Sequence, residues 1–466
     1  MTDARAAGCP DAQWRRWIAA VRASARLGVL LLALGCGSSS ERVIVLEGAT
    51  LIDGSGGPPT TDAVIIVRDG HIGAVARVNE IPVPRDAERI SLIGKTIIPG
   101  LIDGHAHVER WAVPRYLVWG VTTVRDLHGP MDSTLALKRA LNLGSIIGPR
   151  MFAAGAMIDG PRPTYPNATA VGTASQARRA VGQRAVAGAD YVKVYTRLTA
   201  NLLRPLLEEA TSLRLPVAAH LGKIDALTAA RAGVASIEHM AGVVQAAGNR
   251  AVVRAHDAFL PGWTAEEQAW AALDSAVVAR TARALAQTRV VVVPTLVLHE
   301  MLSRLDNPLL LTRPGMEDVP EDAASVRGVS SLLRRTGWRS PHFDAFRRSR
   351  RRQDQFVREF KRAGGAIVAG SDAANQLLIP GYSLHEELAL LVEAGLTPLE
   401  AITAATRHAA QLLRADSLGM IAPGQVADLV VLHANPVRDI LATRNIAWVM
   451  VRGRIIRPDS VRAAWR

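Results

Sequence analysis

Short apolar runs recur along the middle of the chain, and each is followed by a longer stretch rich in alanine, leucine and arginine. Such runs indicate buried strands, and the longer stretches indicate helices. Because repeated strand–helix units form a parallel sheet, eight of them suit a closed (β/α)8 TIM barrel of the α/β class. The eight predicted strand regions are 100–108, 120–127, 150–158, 191–196, 216–221, 236–240, 290–297 and 366–373.

An open, doubly wound sheet is the alternative architecture for such repeats. The closed barrel is favoured because no Gly-x-Gly-x-x-Gly sequence follows any of the runs. The stretches 241–289 and 300–350 are longer than one crossover helix. We therefore expect them to include insertions over the mouth of the barrel, where loops shape substrate pockets.

The two ends of the chain have a different, β-rich pattern. Strand-like sequence from residue 43 onward is divided by Asp-Gly turns at 53–54 and 69–70. The same strand-like pattern recurs at 427–432 and 446–456. Residues 43–98 and 414–466 are thus predicted to form one small β-sandwich domain. Residues 99–413 are predicted to form the barrel.

The N-terminus has the pattern of an export signal. A short apolar segment at 27–35 follows Arg22 and Arg26, is too short to span a bilayer, and ends at Cys36. Residues 1–35 resemble a lipoprotein signal peptide, although Ala33 stands where such signals usually carry leucine. This resemblance implies a lipidated Cys36, a tether at 36–42, and an exported protein anchored by its lipid in the bacterial periplasm or cell envelope. Ordinary export and an uncleaved cytoplasmic extension are the alternatives.

Composition narrows the class of function. The chain of 466 residues has a formal net charge of +13, but its basic residues are mostly scattered, so no nucleic-acid partner is expected. The one dense arginine run, 347–352, is predicted to lie on the solvated face of a helix. With only two cysteines, the body of the protein has no disulfide framework and thiolate metal ligands are not expected. The sequence leaves a homo-oligomer open.

Histidine and aspartate side chains follow several of the predicted strands. His105 and His107 are two residues apart, so they point to the same side at the end of the first strand. His220, His239 and Asp372 end the fifth, sixth and eighth strands. A single histidine at such a position is more often structural. Several together at the carboxyl ends, where barrel active sites assemble, favour a metal site.

Lys193 lies between apolar neighbours in the fourth predicted strand, in a chain with only five lysines among 55 basic residues. An unpaired buried ammonium is costly, so we expect Lys193 to be paired, neutral or chemically altered. Lysine, unlike arginine, can lose its proton and react with carbon dioxide to form a carbamate. Such a carbamate would offer two oxygens to two cations. The alternative is a buried lysine paired with a carboxylate.

Several motifs together resemble the amidohydrolase superfamily: Pro-Gly-Leu-Ile-Asp-Gly-His-Ala-His at 99–107, Val-Lys-Val-Tyr at 192–195, Gly-Ser-Asp at 370–372, and the closing segment 418–429. The resemblance covers roughly residues 43–456. Thr-Thr-Val-Arg-Asp-Leu at 122–127, Ile-Glu-His-Met at 237–240, Leu-His-Glu-Glu-Leu at 384–388 and Ala-Thr-Arg at 405–407 are typical of one branch. That branch is imidazolonepropionase-like and prolidase-like (Xaa-Pro dipeptidase), with a carboxylated lysine.

The resemblance implies two divalent metal ions, with zinc expected and manganese, iron or cobalt left open. His105, His107 and Asp372 would hold one ion, His220 and His239 the other, and carboxylated Lys193 would lie between them. A hydroxide bridging the metals would attack the substrate carbonyl, with Asp372 as general base and then general acid.

The expected function is therefore hydrolysis of a C–N bond in a small molecule, a dipeptide or an N-acyl amino acid. Candidate substrate-binding residues are Tyr195, His128, Arg197 and Tyr165, each of which could instead be structural. Hydrolysis of a cyclic amide, a lactone or a phosphotriester is the alternative for the same site. A non-catalytic surface binding protein on the same barrel is the alternative from another class.

Overall fold

The computed structural model describes residues 42–465. The predicted signal peptide, Cys36 and the rest of the tether up to residue 41 lie outside the described residues, so export and lipid anchoring stay predictions. Among the helices that are described, none is both long enough and apolar enough to cross a membrane.

Eighteen strands lie within the described part of the chain. They are β1 (Val43–Leu51), β2 (Thr60–Arg68), β3 (His71–Arg77), β4 (Glu88–Ser91), β5 (Thr96–Pro99), β6 (Leu101–Ala106), β7 (Val121–Asp126), β8 (Arg150–Ala153), β9 (Ile158–Asp159), β10 (Thr169–Ala170), β11 (Val192–Val194), β12 (Val217–Ala219), β13 (Ser236–Glu238), β14 (Val291–Val293), β15 (Ala366–Ile367), β16 (Leu429–Leu432), β17 (Ile446–Val451) and β18 (Arg454–Ile456).

The α-helices of the same region are α1 (Val113–Val118), α2 (Met131–Asn142), α3 (Ala174–Ala187), α4 (Ala200–Ser212), α5 (Ala226–Ala232), α6 (Val243–Ala246), α7 (Arg250–Ala255), α8 (Phe259–Ala269), α9 (Ser275–Ala286), α10 (Leu296–Ser303), α11 (Ala324–Arg327), α12 (Val329–Thr336), α13 (Ser340–Arg362), α14 (Tyr382–Glu393), α15 (Pro398–Ala404), α16 (Arg407–Leu413) and α17 (Pro458–Ala463). Their ends follow local chemistry. Thr173 caps the first turn of α3, and Gly188 adopts the left-handed conformation that ends it.

Strands from both ends of the chain form a single mixed sheet, with the order β18-β17-β16-β5-β1-β2-β3 and with β4 beside β1. The two ends meet where β16 runs antiparallel to β5, so that Leu429 lies opposite Pro99 and Leu432 opposite Thr96. Alternate residues of these strands are apolar and enclose one common core. The association of the two β-rich ends in one small β domain was predicted from the sequence.

The middle of the chain is built on parallel strands that follow one another in chain order. One sheet contains β6-β7-β8, and the other contains β9-β11-β12-β13-β14-β15, with β10 beside β9. The amide of Asp190, just before β11, donates to the Ala153 carbonyl of β8 over 2.9 Å. On the other side, Ala373 bridges to Ala106 of β6, and the Asp372 amide donates to the His105 carbonyl over 2.8 Å. The predicted α/β barrel architecture is confirmed.

The strands are shorter than the predicted apolar runs. The third run divides into β8 and β9. The eighth run is regular strand only over β15, and the residues that follow it form hydrogen bonds with β6. In the seventh run the strand assignment of Leu296 and Val297 is wrong, because both residues begin α10. The strand ends at Val293, and Thr295, whose φ of 46° is left-handed, caps the helix. The Glu387 carboxylate accepts the Val297 amide hydrogen over 2.8 Å.

The two long insertions form helices α6–α9 and α10–α13 together with short 3-10 turns. The arginine run at 347–352 lies in α13, but its predicted exposure holds only in part. Arg347, Arg348 and Arg351 are exposed, whereas Arg350 is buried. Arg350 is directed inward because it forms ion pairs with Glu300 at 3.3 Å and Asp354 at 2.8 Å.

Candidate metal centre

A cavity of about 1390 Å³ opens at the carboxyl ends of the barrel strands. All of the side chains predicted for the site line this one cavity: His105, His107, His128, Tyr165, Lys193, Tyr195, Arg197, His220, His239 and Asp372. Residues of the two long insertions, α6–α9 and α10–α13, form the rest of the cavity wall. The parallel arrangement explains this convergence, because every strand in the array ends at the same rim.

His105, His239 and Asp372 form a group of potential metal ligands within residues 42–465, because their ligand atoms all lie within 4.8 Å of one another. Asp372 Oδ1 is 3.1 Å from His105 Nε2, 3.1 Å from His107 Nε2 and 4.0 Å from His239 Nε2. This carboxylate therefore joins histidines that were predicted to hold two different ions. Asn375 Nδ2 donates to the other oxygen, Oδ2, over 2.8 Å.

The second ring nitrogen of each histidine faces a hydrogen-bond acceptor. His105 Nδ1 is 2.8 Å from Glu238 Oε2, and His107 Nδ1 is 3.3 Å from the His128 carbonyl oxygen. His239 Nδ1 is 2.8 Å from Thr295 Oγ1, whose own hydrogen goes to the Pro294 carbonyl. These contacts assign a proton to each Nδ1 and direct each Nε2 toward Asp372, which is the tautomer that metal-binding histidines require.

These residues fit a divalent cation. Nitrogen lone pairs and a carboxylate oxygen repel one another at such distances unless positive charge lies among them. Burial lowers the pKa of His239 well below its ordinary value, so this imidazole is neutral and its Nε2 lone pair is free. His105 Nε2 is buried, and although Asp372 Oδ1 is only 3.1 Å away, the geometry of a hydrogen bond is not met by any partner in the described part of the chain. Imidazole nitrogens with one carboxylate form a donor set typical of zinc and its neighbours.

Lys193 and His220 lie on the other side of His239. The His220 ring is centred 4.7 Å from the His239 ring, and burial lowers the pKa of His220 well below its usual range. Lys193 Nζ is buried without a hydrogen-bond partner among the described residues. Burial also lowers the pKa of the Lys193 ammonium to about 8. The alternative, in which Lys193 pairs directly with a carboxylate, is therefore not observed in the structure.

Burial alone would raise the pKa of Asp372, but positive charge on His239 and hydrogen bonds from His105 and His107 lower it well below its ordinary value. A cation bound among the Nε2 atoms would have the same effect on the carboxylate when these imidazoles are neutral. Asp372 is thus a carboxylate at neutral pH. Its backbone is also unusual, since its φ of 57° is left-handed, as is that of His239 at 60°. This conformation costs about 1–2 kcal/mol per residue, so the surrounding hydrogen bonds must hold both side chains in place.

A buried ion pair beneath the site was missed in the sequence analysis. Arg125 of β7 donates from Nη2 to both carboxylate oxygens of Glu238 at 2.9 Å, and from Nη1 to Ser236 Oγ at 3.1 Å. Burial would raise the pKa of Glu238, but Arg125 and His105 lower it below its ordinary value. Both residues belong to motifs quoted above. The sequence did contain a signal for this pair, because each residue is a charged residue within an otherwise apolar strand.

Asp103 is a second missed residue that supports the site. Its Oδ1 accepts the backbone hydrogens of Ser371 at 2.9 Å and His105 at 3.2 Å, so it connects the two strands that carry the first histidines and Asp372. Burial raises the pKa of Asp103 to about 6, although the hydrogen bonds from Ser371 oppose this shift.

The candidate substrate-binding residues lie at the cavity wall, and their role remains a prediction. His128 Nδ1 accepts the Met157 amide hydrogen at 3.2 Å, and its Nε2 donates to Asn167 Oδ1 at 3.1 Å. Burial lowers the pKa of His128 to about 4, so it is neutral. Arg197 Nη1 donates to the Arg162 carbonyl, whereas its Nε is buried without a partner in the described region.

Known proteins resemble this chain over most of its length. The model of the Amidohydrolase family matches residues 96–456. Ochratoxinase from Aspergillus niger is 24% identical over 473 residues, which cover 86% of this chain and 84% of that protein. Imidazolonepropionase from Deinococcus deserti is 43% identical over a shorter stretch of 82 residues, 17% of this chain and 20% of that protein.

A solved structure supports the fold. The crystal structure of a putative prolidase from Bifidobacterium longum superposes with a TM-score of 0.67 at 25% sequence identity, covering 91% of this chain and 98% of that one. The similarity therefore extends over the β domain and the barrel together.

The Glu238–Arg125 pair predicts a large effect of a neutral substitution. We expect Glu238→Gln to lower the free energy of unfolding by about 3–5 kcal/mol, because Arg125 would keep a buried, uncompensated charge. It should also weaken metal binding by about 10- to 100-fold, since His105 loses its carboxylate partner. Urea unfolding and titration with zinc measure the two effects.

Ser236→Ala is the matched control, because Ser236 touches the same two side chains without carrying charge. Its expected cost is about 1–2 kcal/mol, from loss of a buried hydrogen bond. Equal costs for the two variants would show that charge compensation is not what Glu238 provides.

Proposed function

Because this chain belongs to the amidohydrolase family, in its prolidase-like branch, we propose that it hydrolyses the amide bond of dipeptides or N-acyl amino acids with two bound metal ions. The chain is a hydrolase that acts on C–N bonds. One observation carries the finer proposal: imidazole Nε2 atoms surround the Asp372 carboxylate inside a cavity large enough for a small molecule.

The proposed ion set uses the residues described above. His105, His107, His239 and Asp372 face one another directly, and His220 lies next to His239. Lys193, buried and without a partner in the described region, would join the set as a carbamate. Its lowered pKa supports this proposal, because only the neutral amine reacts with carbon dioxide and burial increases its fraction. We propose zinc as the metal.

The chain's own residues account for the proton transfers. When bound, the ions would polarise the substrate carbonyl and lower the pKa of a water molecule. Asp372, a carboxylate at neutral pH, accepts the proton of that water and then donates it to the leaving nitrogen. Asn375 Nδ2 binds Asp372 Oδ2, so Oδ1 remains directed at the histidines during this exchange.

The proposed substrates carry a carboxylate, and Arg197 offers a matching charge. Arg197 is one of the residues that line the cavity, and its buried Nε has no partner among the described residues. A guanidinium binds a carboxylate through two parallel hydrogen bonds, which fixes the orientation of the substrate. Arg197 would therefore position the amide relative to Asp372.

The direct test is a panel assay. Zinc-loaded protein should hydrolyse N-acetyl amino acids or Xaa-Pro dipeptides, and removal of zinc by a chelator should abolish the activity. Lactones, cyclic amides and phosphotriesters belong in the same panel. Turnover of one of these classes alone would contradict the proposed substrate.

Asp372→Asn should lower kcat by about 10²- to 10⁴-fold, because the amide cannot accept and donate the proton. Metal content should stay near that of the unmodified protein, since the amide oxygen can still act as a ligand. Stopped-time hydrolysis assays and elemental analysis measure the two quantities. Asp416→Asn, the same change at an exposed position, is the control. Turnover near normal in Asp372→Asn would exclude its role in proton transfer.

Lys193→Ala should reduce the metal content from about two ions per chain to about one, because the ligand between the ions is lost. Lys193→Arg should fail in the same way, since arginine does not form a carbamate. Short carboxylic acids should partly restore activity to the alanine variant. Lys95→Ala is the control on a lysine outside the cavity. An active arginine variant with full metal content would exclude the carbamate.

A further inference from the structure

One side of the cavity is lined by the rings of Tyr165, Tyr195, Phe259 and Trp263, which we call the aromatic wall. The Tyr195 and Phe259 rings are centred 5.7 Å apart, and Tyr165 lies 5.7 Å from Tyr195 and 6.0 Å from Phe259. Phe259 and Trp263 are stacked, with centres 5.5 Å apart and an angle of 18° between their planes. The wall is thus continuous.

The aromatic wall is not explained by composition or by local sequence. Only 4% of the chain is aromatic. The four rings come from three separate parts of the chain: the segment after β9, the end of β11, and helix α8 of the first insertion. Their convergence on one cavity face is therefore a feature of the tertiary structure.

Three of the four rings remain partly exposed, whereas Tyr195 is buried at the base of the wall. Tyr165 is 38% exposed, and Phe259 and Trp263 are only partly buried. A cluster that served the core alone would be covered on all sides. Trp338 supports the wall from behind, because its ring lies 5.2 Å from Trp263 and its Nε1 donates to Thr264 Oγ1 at 2.9 Å. The wall is thus held in a fixed orientation with one face open.

The aromatic wall begins at the candidate metal centre. The Tyr195 ring is centred 4.7 Å from the His220 ring, and Lys193 precedes Tyr195 by two residues on the same strand end. A substrate with its amide bond at the histidines and Asp372 would place the group on one side of that bond against Tyr195 and Phe259.

We propose that this site selects amides that carry an aromatic ring on one side of the scissile bond, and that the aromatic wall binds that ring. The inference rests on the proposed amide hydrolysis. Aromatic rings attract one another in edge-to-face and offset arrangements, worth about 0.5–1.5 kcal/mol beyond the apolar area that they bury. The tilted rings of the wall offer such contacts to a planar ligand.

The test compares aromatic substrates with their saturated counterparts. N-benzoylglycine is paired with N-(cyclohexanecarbonyl)glycine, and N-acetylphenylalanine with N-acetylcyclohexylalanine. A cyclohexyl ring is the larger apolar group, so burial of apolar area alone would favour the saturated member. We expect kcat/KM to be higher for the aromatic member by about 2- to 10-fold in at least one pair. The pair that responds identifies the side of the amide that faces the wall.

Phe259→Leu and Trp263→Leu should each reduce that ratio to one or below, because leucine keeps apolar contact but offers no ring. Phe152→Leu is the matched control: Phe152 is half-buried on β8 and does not line the cavity. Its selectivity ratio should equal that of the unmodified protein. Thermal unfolding of each variant verifies that it is folded.

The outcomes separate the two proposals. Hydrolysis of the amides with no preference for the aromatic member would overturn this inference and leave the proposed function in place. A preference that persists in both wall variants would overturn the role of the wall. If no amide is hydrolysed, the proposed function fails, and binding is measured instead by quenching of tryptophan fluorescence with phenylalanine and cyclohexylalanine. Equal affinity for these two ligands would then overturn the inference.

Discussion

The buried ion pair between Arg125 and Glu238 is the interaction on which the site depends. It joins β7 to β13, and Arg125 also donates from Nε to the Gly104 carbonyl of β6. An uncompensated charge at this depth costs several kcal/mol, so neither residue can move away from the other. Glu238 then uses the same carboxylate to fix the proton on His105 Nδ1. The charge pair thus sets the position of three strands and the tautomer of a candidate metal ligand.

Above this pair, several residues at the candidate metal centre have backbone conformations that are unfavourable on their own. His239, Thr295 and Asp372 are all left-handed, at a cost of about 1–2 kcal/mol each. Neighbouring strands maintain them, since the His239 amide donates to the Val293 carbonyl and the Asp372 amide to the His105 carbonyl. These strained residues follow the ends of strands, where the side chains are directed into the cavity. This concentration at the cavity is typical of functional sites.

The sequence predicted those features that follow from local periodicity. The eight apolar runs identified the barrel strands, and His105 and His107 were assigned to one side because residues alternate along a strand. Leu296 and Val297 were misassigned because an apolar run that passes from a strand into a buried helix shows no break in hydrophobicity. Arg125 was overlooked because its partner is distant in sequence. The aromatic wall was missed for the same reason, since its rings come from three segments whose meeting depends on tertiary structure.

The residues around the cavity come from two kinds of structural element. The histidines, Lys193 and Asp372 lie at strand ends, where hydrogen bonds in the sheet and the ion pair below leave little freedom. Phe259 and Trp263 lie in α8, an insertion that packs over the barrel rather than within it. Changes in α8 can alter the wall without disturbing the Arg125–Glu238 pair. The proposed chemistry therefore depends on the barrel, whereas the part of the proposed selectivity that comes from Phe259 and Trp263 depends on an insertion that can vary independently of it.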